Sequence, residues 1–196
     1  DTTPLIQVSI PGTHDSGALY NGISIVYAAC QKMTIAQQLL AGIRFLDIRC
    51  RACGDSLKIY HGLLYQKDSF ENVLKVCSKF LKTYPSEVII MRVREERKPK
   101  KKSLPFWDLF MKHWDTNLFY TGKENKPTLG EVRGKIFLLK DFHGEELPGI
   151  TWRACKCQDL YEPSSIKSKI EAIENFYNNS IEKGNTFCIK DRKSVV

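Results

Sequence analysis

Three short segments of this sequence hold the residues best suited to acid–base work on an anion: Gly12-Thr13-His14-Asp15-Ser16, Asp47-Ile48-Arg49 and Tyr60-His61-Gly62. An imidazole titrates near neutral pH, so two of them can serve as base and acid about one reacting group. A guanidinium between them can hold the charge that develops there, and each aspartate can orient an imidazole or guanidinium partner. This is the inventory for phosphoryl transfer without a metal. Taken alone, a histidine after Gly-Thr is more often a hydrogen-bonded loop residue than a proton carrier. Two histidines, two aspartates and an arginine at the ends of apolar runs reverse that balance.

The elements that must position these residues read as alternating strands and helices. Seven runs have strand character: Leu5 to Ile10, Phe45 to Arg49, Leu57 to Tyr60, Val88 to Val93, Lys135 to Lys140, Ile150 to Cys155 and Thr186 to Lys190. Between them, Thr34 to Ala41, Ser69 to Thr83, Leu104 to Trp114 and Ser165 to Asn178 carry apolar residues at helical spacing. Asp68 or Ser69, and Ser164, are expected as N-caps, and Pro85 as a helix stop. The alternation predicts an α/β fold, a TIM-type (β/α) barrel in which residues at the ends of successive parallel strands meet at one mouth. Such a barrel takes about 250 residues. With 196 residues and seven recognisable strands, the barrel is expected to be incomplete or distorted, and the chain to be one domain and a processed or partial product.

Six blocks in order carry a resemblance. They are Ile10-Pro11-Gly12-Thr13-His14-Asp15-Ser16-Gly17, Gly42-Ile43-Arg44-Phe45-Leu46-Asp47-Ile48-Arg49, His61-Gly62-Leu63-Leu64-Tyr65, Pro85-Ser86-Glu87-Val88-Ile89-Ile90-Met91, Gly134-Lys135-Ile136-Phe137-Leu138-Leu139-Lys140 and Gln158-Asp159-Leu160-Tyr161. Together they make the chain, as one domain over residues 1–196, similar to the X-domain family of phosphatidylinositol-specific phospholipases C, most closely its bacterial-type, metal-independent members. The resemblance implies cleavage of phosphatidylinositol, or a glycosylated phosphatidylinositol, to diacylglycerol and inositol 1,2-cyclic phosphate, with no cofactor. It assigns His14 as general base, His61 as general acid, Asp15 as the partner of His61, Arg49 as the ligand of the nonbridging phosphate oxygen in the place a calcium ion takes in eukaryotic members, and Asp47 as the residue that orients Arg49. Arg94, Lys140, Asp159 and Tyr161 fall where the family meets the inositol ring.

Two departures stand out. Asp141 follows Lys140 where the bacterial pattern has a ring-contacting arginine, and strand alternation turns Lys140 the other way. The chain is expected to lack the family's C-terminal quarter, to which the resemblance assigns the aspartate that pairs with the base. The rival reading is therefore a catalytically weak phosphoinositide or inositol-phosphate binding module. A glycerophosphodiesterase-type barrel is disfavoured, since no His-Arg-Gly is followed by a Glu-x-Asp metal set. Arg51, two residues beyond Arg49, is expected to share the phosphate.

The net charge of +8 favours anionic partners. No zinc-finger, recognition-helix or RNP-like pattern supports nucleic acid, so an anionic membrane surface and a monomeric, peripheral protein are expected. The basic run Arg97 to Lys102, the aromatics Phe106 and Trp107, and the apolar run Leu19 to Tyr27 are expected to lie near the active-site face. Seven cysteines leave one unpaired in any disulfide scheme, and neither Cys50/Cys53 nor Cys155/Cys157 makes a convincing zinc half-site, so no metal is assigned. No apolar run approaches the roughly 18 residues of a membrane span. Secretion or peripheral membrane association is favoured over a purely cytoplasmic location.

Overall fold

The structure, a computed structural model, describes residues 1–22, 29–158, 160, 163–183 and 186–190. Its centre is β2 (Phe45–Cys53), whose residues alternate between two faces. Leu46, Ile48, Cys50 and Ala52 point outward and are fully buried beneath α1 (Ile35–Leu40), α2 (Phe70–Thr83) and α3 (Phe106–Met111). Phe45, Asp47 and Arg49 lie on the inner face. β2 pairs in parallel with β5 (Ile89–Glu95), and β5 with β6 (Ile136–Asp141), which in turn pairs with the two-residue β7 (Ile150–Thr151). No closed ring of strands forms among the described residues; the sheet is an incomplete barrel.

Register stacks the inner face in layers. Phe45, Ile90 and Phe137 are neighbours in the first, Asp47, Arg92 and Leu139 in the second, and Arg49, Arg94 and Asp141 in the third. The inner face thus changes from apolar to charged within four residues of each strand. The apolar end packs against Leu5, Val132 and Phe187, which leaves the charged layers at the mouth.

Several elements differ from the sequence reading, each for a physical reason. Leu5 to Ile10 is not a strand. Leu5–Gln7 forms a 3-10 turn that sends the consecutive residues Leu5 and Ile6 into the core, and only Gly12–Thr13 (β1) joins β2. Leu57 to Tyr60 is not a barrel strand of a βα unit. Only Gly54 and Asp55 separate β2 from β3 (Ser56–His61), and a two-residue connection permits an antiparallel hairpin but no crossover. β4 (Leu64–Ser69), unforeseen, extends that hairpin before Ser69 caps α2. Ile150 to Cys155 yields only β7 and a 3-10 turn at Trp152–Ala154. β8 (Lys156–Gln158) and β9 (Cys188–Lys190) pair with each other in a separate two-stranded sheet rather than in the barrel. A short helix, α4 (Leu129–Val132), is added by a Thr128/Glu131 capping box, and α5 (Ile166–Lys183) begins one residue later than expected, with Ser165 Oγ accepting from Ser168 N.

Candidate active site

β2 overshoots its partners and returns. Since Cys50 pairs with Ile59, continuing the register brings His61 level with Ile48. On the same edge β1 pairs with Phe45 and Leu46, leaving the backbone around residue 47 open between β1 and β3. The loop after β1 folds into that gap: Ser16 N donates to Asp47 O at 2.8 Å, Asp47 N donates to Ser16 Oγ at 2.8 Å, and Asp15 N donates to Asp47 Oδ2 at 3.1 Å. Asp15 adopts the left-handed region, with φ of 42°, which short polar side chains tolerate. Gly17 is needed behind it, because a Cβ there would lie 2.8 Å from Ile59 Cγ2.

Asp47 anchors what these loops bring. Arg49 donates to its Oδ2 from Nε at 3.0 Å and from Nη2 at 2.8 Å, and Arg92 donates to Oδ1 at 3.3 Å. Burial works against ionisation of Asp47, yet Arg49 and Arg92 outweigh it and hold the carboxyl below its usual range. Arg49 in turn is held protonated: burial opposes this, but Asp47 and Asp15 prevail.

From Arg49 the contacts run both ways. Its Nη2 lies 3.4 Å from Nδ1 and 3.3 Å from Nε2 of His14, so it approaches the imidazole without lining up on either lone pair. Its Nη1 is 3.7 Å from Asp15 Oδ2 and 4.0 Å from Glu96 Oε2, beyond hydrogen-bond distance. Asp15 Oδ2 is then 3.7 Å from His61 Nε2. All five expected catalytic residues, His14, Asp15, Asp47, Arg49 and His61, are therefore in one cluster.

Asp15 is its strained member. The residue is fully buried and, among the described residues, neither carboxylate oxygen accepts a hydrogen bond. Burial, opposed by the Arg49 charge and assisted by Asp47 and Glu96, pushes its carboxyl up to about 8.

Among the expected substrate residues, Arg94 stands half-exposed in the third layer, its Nε 3.5 Å from Glu96 Oε2. Lys140 is a correction: alternation turns it to the outer face, where Nζ donates to Gly144 O and Glu145 O, both at 2.7 Å. Arg51 is another, because it leaves the cluster to donate to Lys98 O and lie over Tyr60. Asp159, Tyr161 and residues 23–28 lie outside the described residues. Arg97 to Lys102 follow β5 at the site end, and Lys100 N and Leu104 N strap this loop to Ala52 O and Gly54 O of the β2–β3 hairpin. Phe106 is not available for docking, being buried against Phe142, and Trp107 is half-buried beside it.

Three residues escaped the sequence reading. Arg92 bridges Asp47 to Asp141, donating to Asp141 Oδ2 from Nε at 3.0 Å and from Nη2 at 2.5 Å. Trp152 lies over its guanidinium at 3.7 Å. Glu96 accepts from Gly62 N at 2.8 Å, tying the turn after His61 to the same cluster.

The family model for the phosphatidylinositol-specific phospholipase C X domain matches residues 3–142. The chain belongs to that family. It is 36% identical over 191 residues to a 1-phosphatidylinositol phosphodiesterase of Listeria monocytogenes, covering 88% of this chain and 59% of that protein. It is 31% identical over 206 residues to a protein of the same name from Staphylococcus aureus, covering 89% and 66%. The chain thus spans about three fifths of the curated relatives' length. Among solved structures, a mutant phosphatidylinositol-specific phospholipase C from Staphylococcus aureus aligns with a TM-score of 0.82 at 28% identity, covering 97% of this chain and 73% of that one. The Listeria monocytogenes enzyme aligns with a TM-score of 0.76 at 32% identity, covering 96% and 74%. Within this phospholipase C family, the described sheet corresponds to an incomplete TIM barrel.

The raised Asp15 carboxyl has a stability consequence. Between the unfolded value of 3.8 and the folded value of about 8, the native state holds a proton that the unfolded state has lost. Stability therefore falls as pH rises through that window. Asp15→Asn, which cannot ionise, is expected to match the wild type near pH 4 and to exceed it by about 2 kcal/mol or more at pH 8, a fraction of the full linkage at 1.36 kcal/mol per unit. Urea unfolding at both pH values checks this; an unchanged difference between them contradicts it.

Proposed function

We propose that this chain carries the cleavage site of a metal-independent phosphatidylinositol-specific phospholipase C. The observation that carries the reading is a run of contacts, His14–Arg49–Asp15–His61, with an imidazole at each end and a guanidinium whose Nη1 makes no hydrogen bond among the described residues. Arg49 is oriented through its other two nitrogens by Asp47. That leaves Nη1 to donate to a nonbridging phosphate oxygen, the position where charge accumulates during attack.

The substrate brings its own nucleophile. His14 takes the proton of the ring 2-hydroxyl, the 2-oxygen attacks phosphorus, and the bond to the glycerol oxygen breaks as His61 supplies its proton. The products are inositol 1,2-cyclic phosphate and diacylglycerol. Asp15, its carboxyl pushed up to about 8 by burial, lies 3.7 Å from His61 and is placed as the partner of the acid. Asp141 does not deprive the site of a second guanidinium: Arg92, clamped by Asp47 and Asp141 under Trp152, supplies it from β5. The basic loop from Arg97 to Lys102, exposed at the site end, supports approach to an anionic bilayer, each charge contributing about 1 kcal/mol near such a surface.

A second reading, a binding module with weak catalysis, has one observation in its favour. Asp47 Oδ2 is 3.9 Å from His14 Nδ1, an ion-pair rather than a hydrogen-bond distance, so this carboxylate does not fix the base through a hydrogen bond.

Two assays decide between them. Turnover of phosphatidylinositol vesicles is expected to persist in EDTA, and Arg49→Ala to lose at least about 100-fold in kcat, the scale of one oxyanion donor; inactivation by EDTA with recovery on adding calcium contradicts the role given to Arg49. His14→Ala and His61→Ala are each expected to be severely impaired on the natural lipid. A substrate with a good leaving group, which needs no protonation, is expected to restore turnover to His61→Ala alone. Equal restoration of both contradicts the division into base and acid.

A further inference from the structure

Cys30 takes no part in the chemistry above, yet it is held against it. Cys30 N and Gln31 N both donate to Ala18 O, at 2.8 and 3.0 Å, Ala29 N donates to Asn21 Oδ1 at 2.7 Å, and Gln31 Nε2 donates to His14 O at 2.6 Å. Fixed in this way, Cys30 Sγ lies 4.0 Å from His61 Nδ1. Asp15 Oδ2 approaches the same ring from Nε2 at 3.7 Å. One donor atom each from Asp15, Cys30 and His61 lies within 4.8 Å of the others.

The three donors are a carboxylate, a thiol and an imidazole, a set that favours zinc and its softer congeners over calcium or magnesium, which take oxygen ligands. Bond lengths of 2.0 to 2.3 Å in tetrahedral geometry place ligand atoms about 3.3 to 3.7 Å apart. The observed spacing of up to 4.8 Å therefore needs roughly 1.1 to 1.5 Å of contraction on binding. A second, independent feature points into the same space: Asp15 is fully buried, and among the described residues neither of its oxygens accepts a hydrogen bond. A buried carboxylate with unsatisfied oxygens gains more from a cation than an exposed one does.

We propose that Asp15, Cys30 and His61 form an inhibitory site for a zinc-class divalent cation. Three protein ligands hold the ion and a water takes the fourth position. On binding, the Cys30 thiol gives up its proton to solvent and coordinates as the thiolate. The ion occupies a nitrogen of His61 and binds Asp15, removing the general acid together with its partner. Inhibition rests on the phosphodiesterase reading; binding does not.

The test titrates the chain with Zn2+ by calorimetry and with Cd2+ by the ultraviolet band of the cadmium–thiolate bond. The wild type is expected to bind one ion with a thiolate ligand. Cys30→Ser is expected to lose the band and at least about 100-fold in affinity, the upper range for disturbing a metal site's ligand shell. The same variant should keep its turnover in metal-free buffer and become resistant to zinc. A control with Cys155, Cys157 and Cys188 all replaced by serine should still bind. Equal zinc affinity in the wild type and Cys30→Ser, or loss of binding in the triple-serine control, overturns the proposal. Because the titration reads binding directly, a chain without turnover whose zinc affinity still falls with Cys30→Ser would support the site and contradict the phosphodiesterase reading.

Discussion

One buried charge organises the mouth of this barrel. Asp47 is almost wholly removed from water, and an ion of that size costs several kcal/mol to bury unless its oxygens are fully engaged. Three groups meet that demand: two nitrogens of Arg49, one of Arg92 and the backbone N–H of Asp15. Each in turn fixes something else. Arg49 sits against His14, Arg92 reaches Asp141 and Trp152, and the Asp15 backbone holds the loop that carries both His14 and the carboxylate near His61. Withdrawing the Asp47 charge would leave two buried guanidiniums without their common partner.

The architecture makes this cluster by giving β2 two tasks. Its outward residues Leu46, Ile48, Cys50 and Ala52 bind the strand to the helical layer, while Asp47 and Arg49 on the other face form the core of the charged cluster. Its overhang beyond Cys50 returns as β3 and brings His61 back beside the same two residues. Motifs distant in sequence thus converge because loop, strand and hairpin all use the edge of β2. The apolar layer of Phe45, Ile90 and Phe137 below gives the charged layers a close-packed floor.

Much of this was legible in the sequence, and what was not has identifiable causes. The five clustered residues stood out because their types are costly at strand ends without a purpose, and α2 announced itself through Phe70, Val73, Leu74, Cys77, Phe80 and Leu81, all buried in the structure. Strand direction was not legible, since alternation is the same in parallel and antiparallel strands; the two-residue Gly54-Asp55 connection was the available signal for a hairpin. Arg92 needed the register to be known, because only pairing beside Asp47 shows that it points inward with a partner. Asp141 read as the loss of an arginine, whereas it accepts from one supplied by the neighbouring strand. Phe106 shows the converse error: an aromatic next to a basic run suggested a membrane surface, yet α3 turns this residue to the core.

The dependence of Arg49 on Asp47 is most directly tested by a double-mutant cycle on phosphatidylinositol turnover, using Asp47→Asn, Arg49→Lys and the combined variant. If the carboxylate acts by holding the guanidinium in place, each single change costs about two orders of magnitude and the pair costs little more than the worse single change. Losses that simply multiply would show that the two residues act independently and would contradict this account of the site.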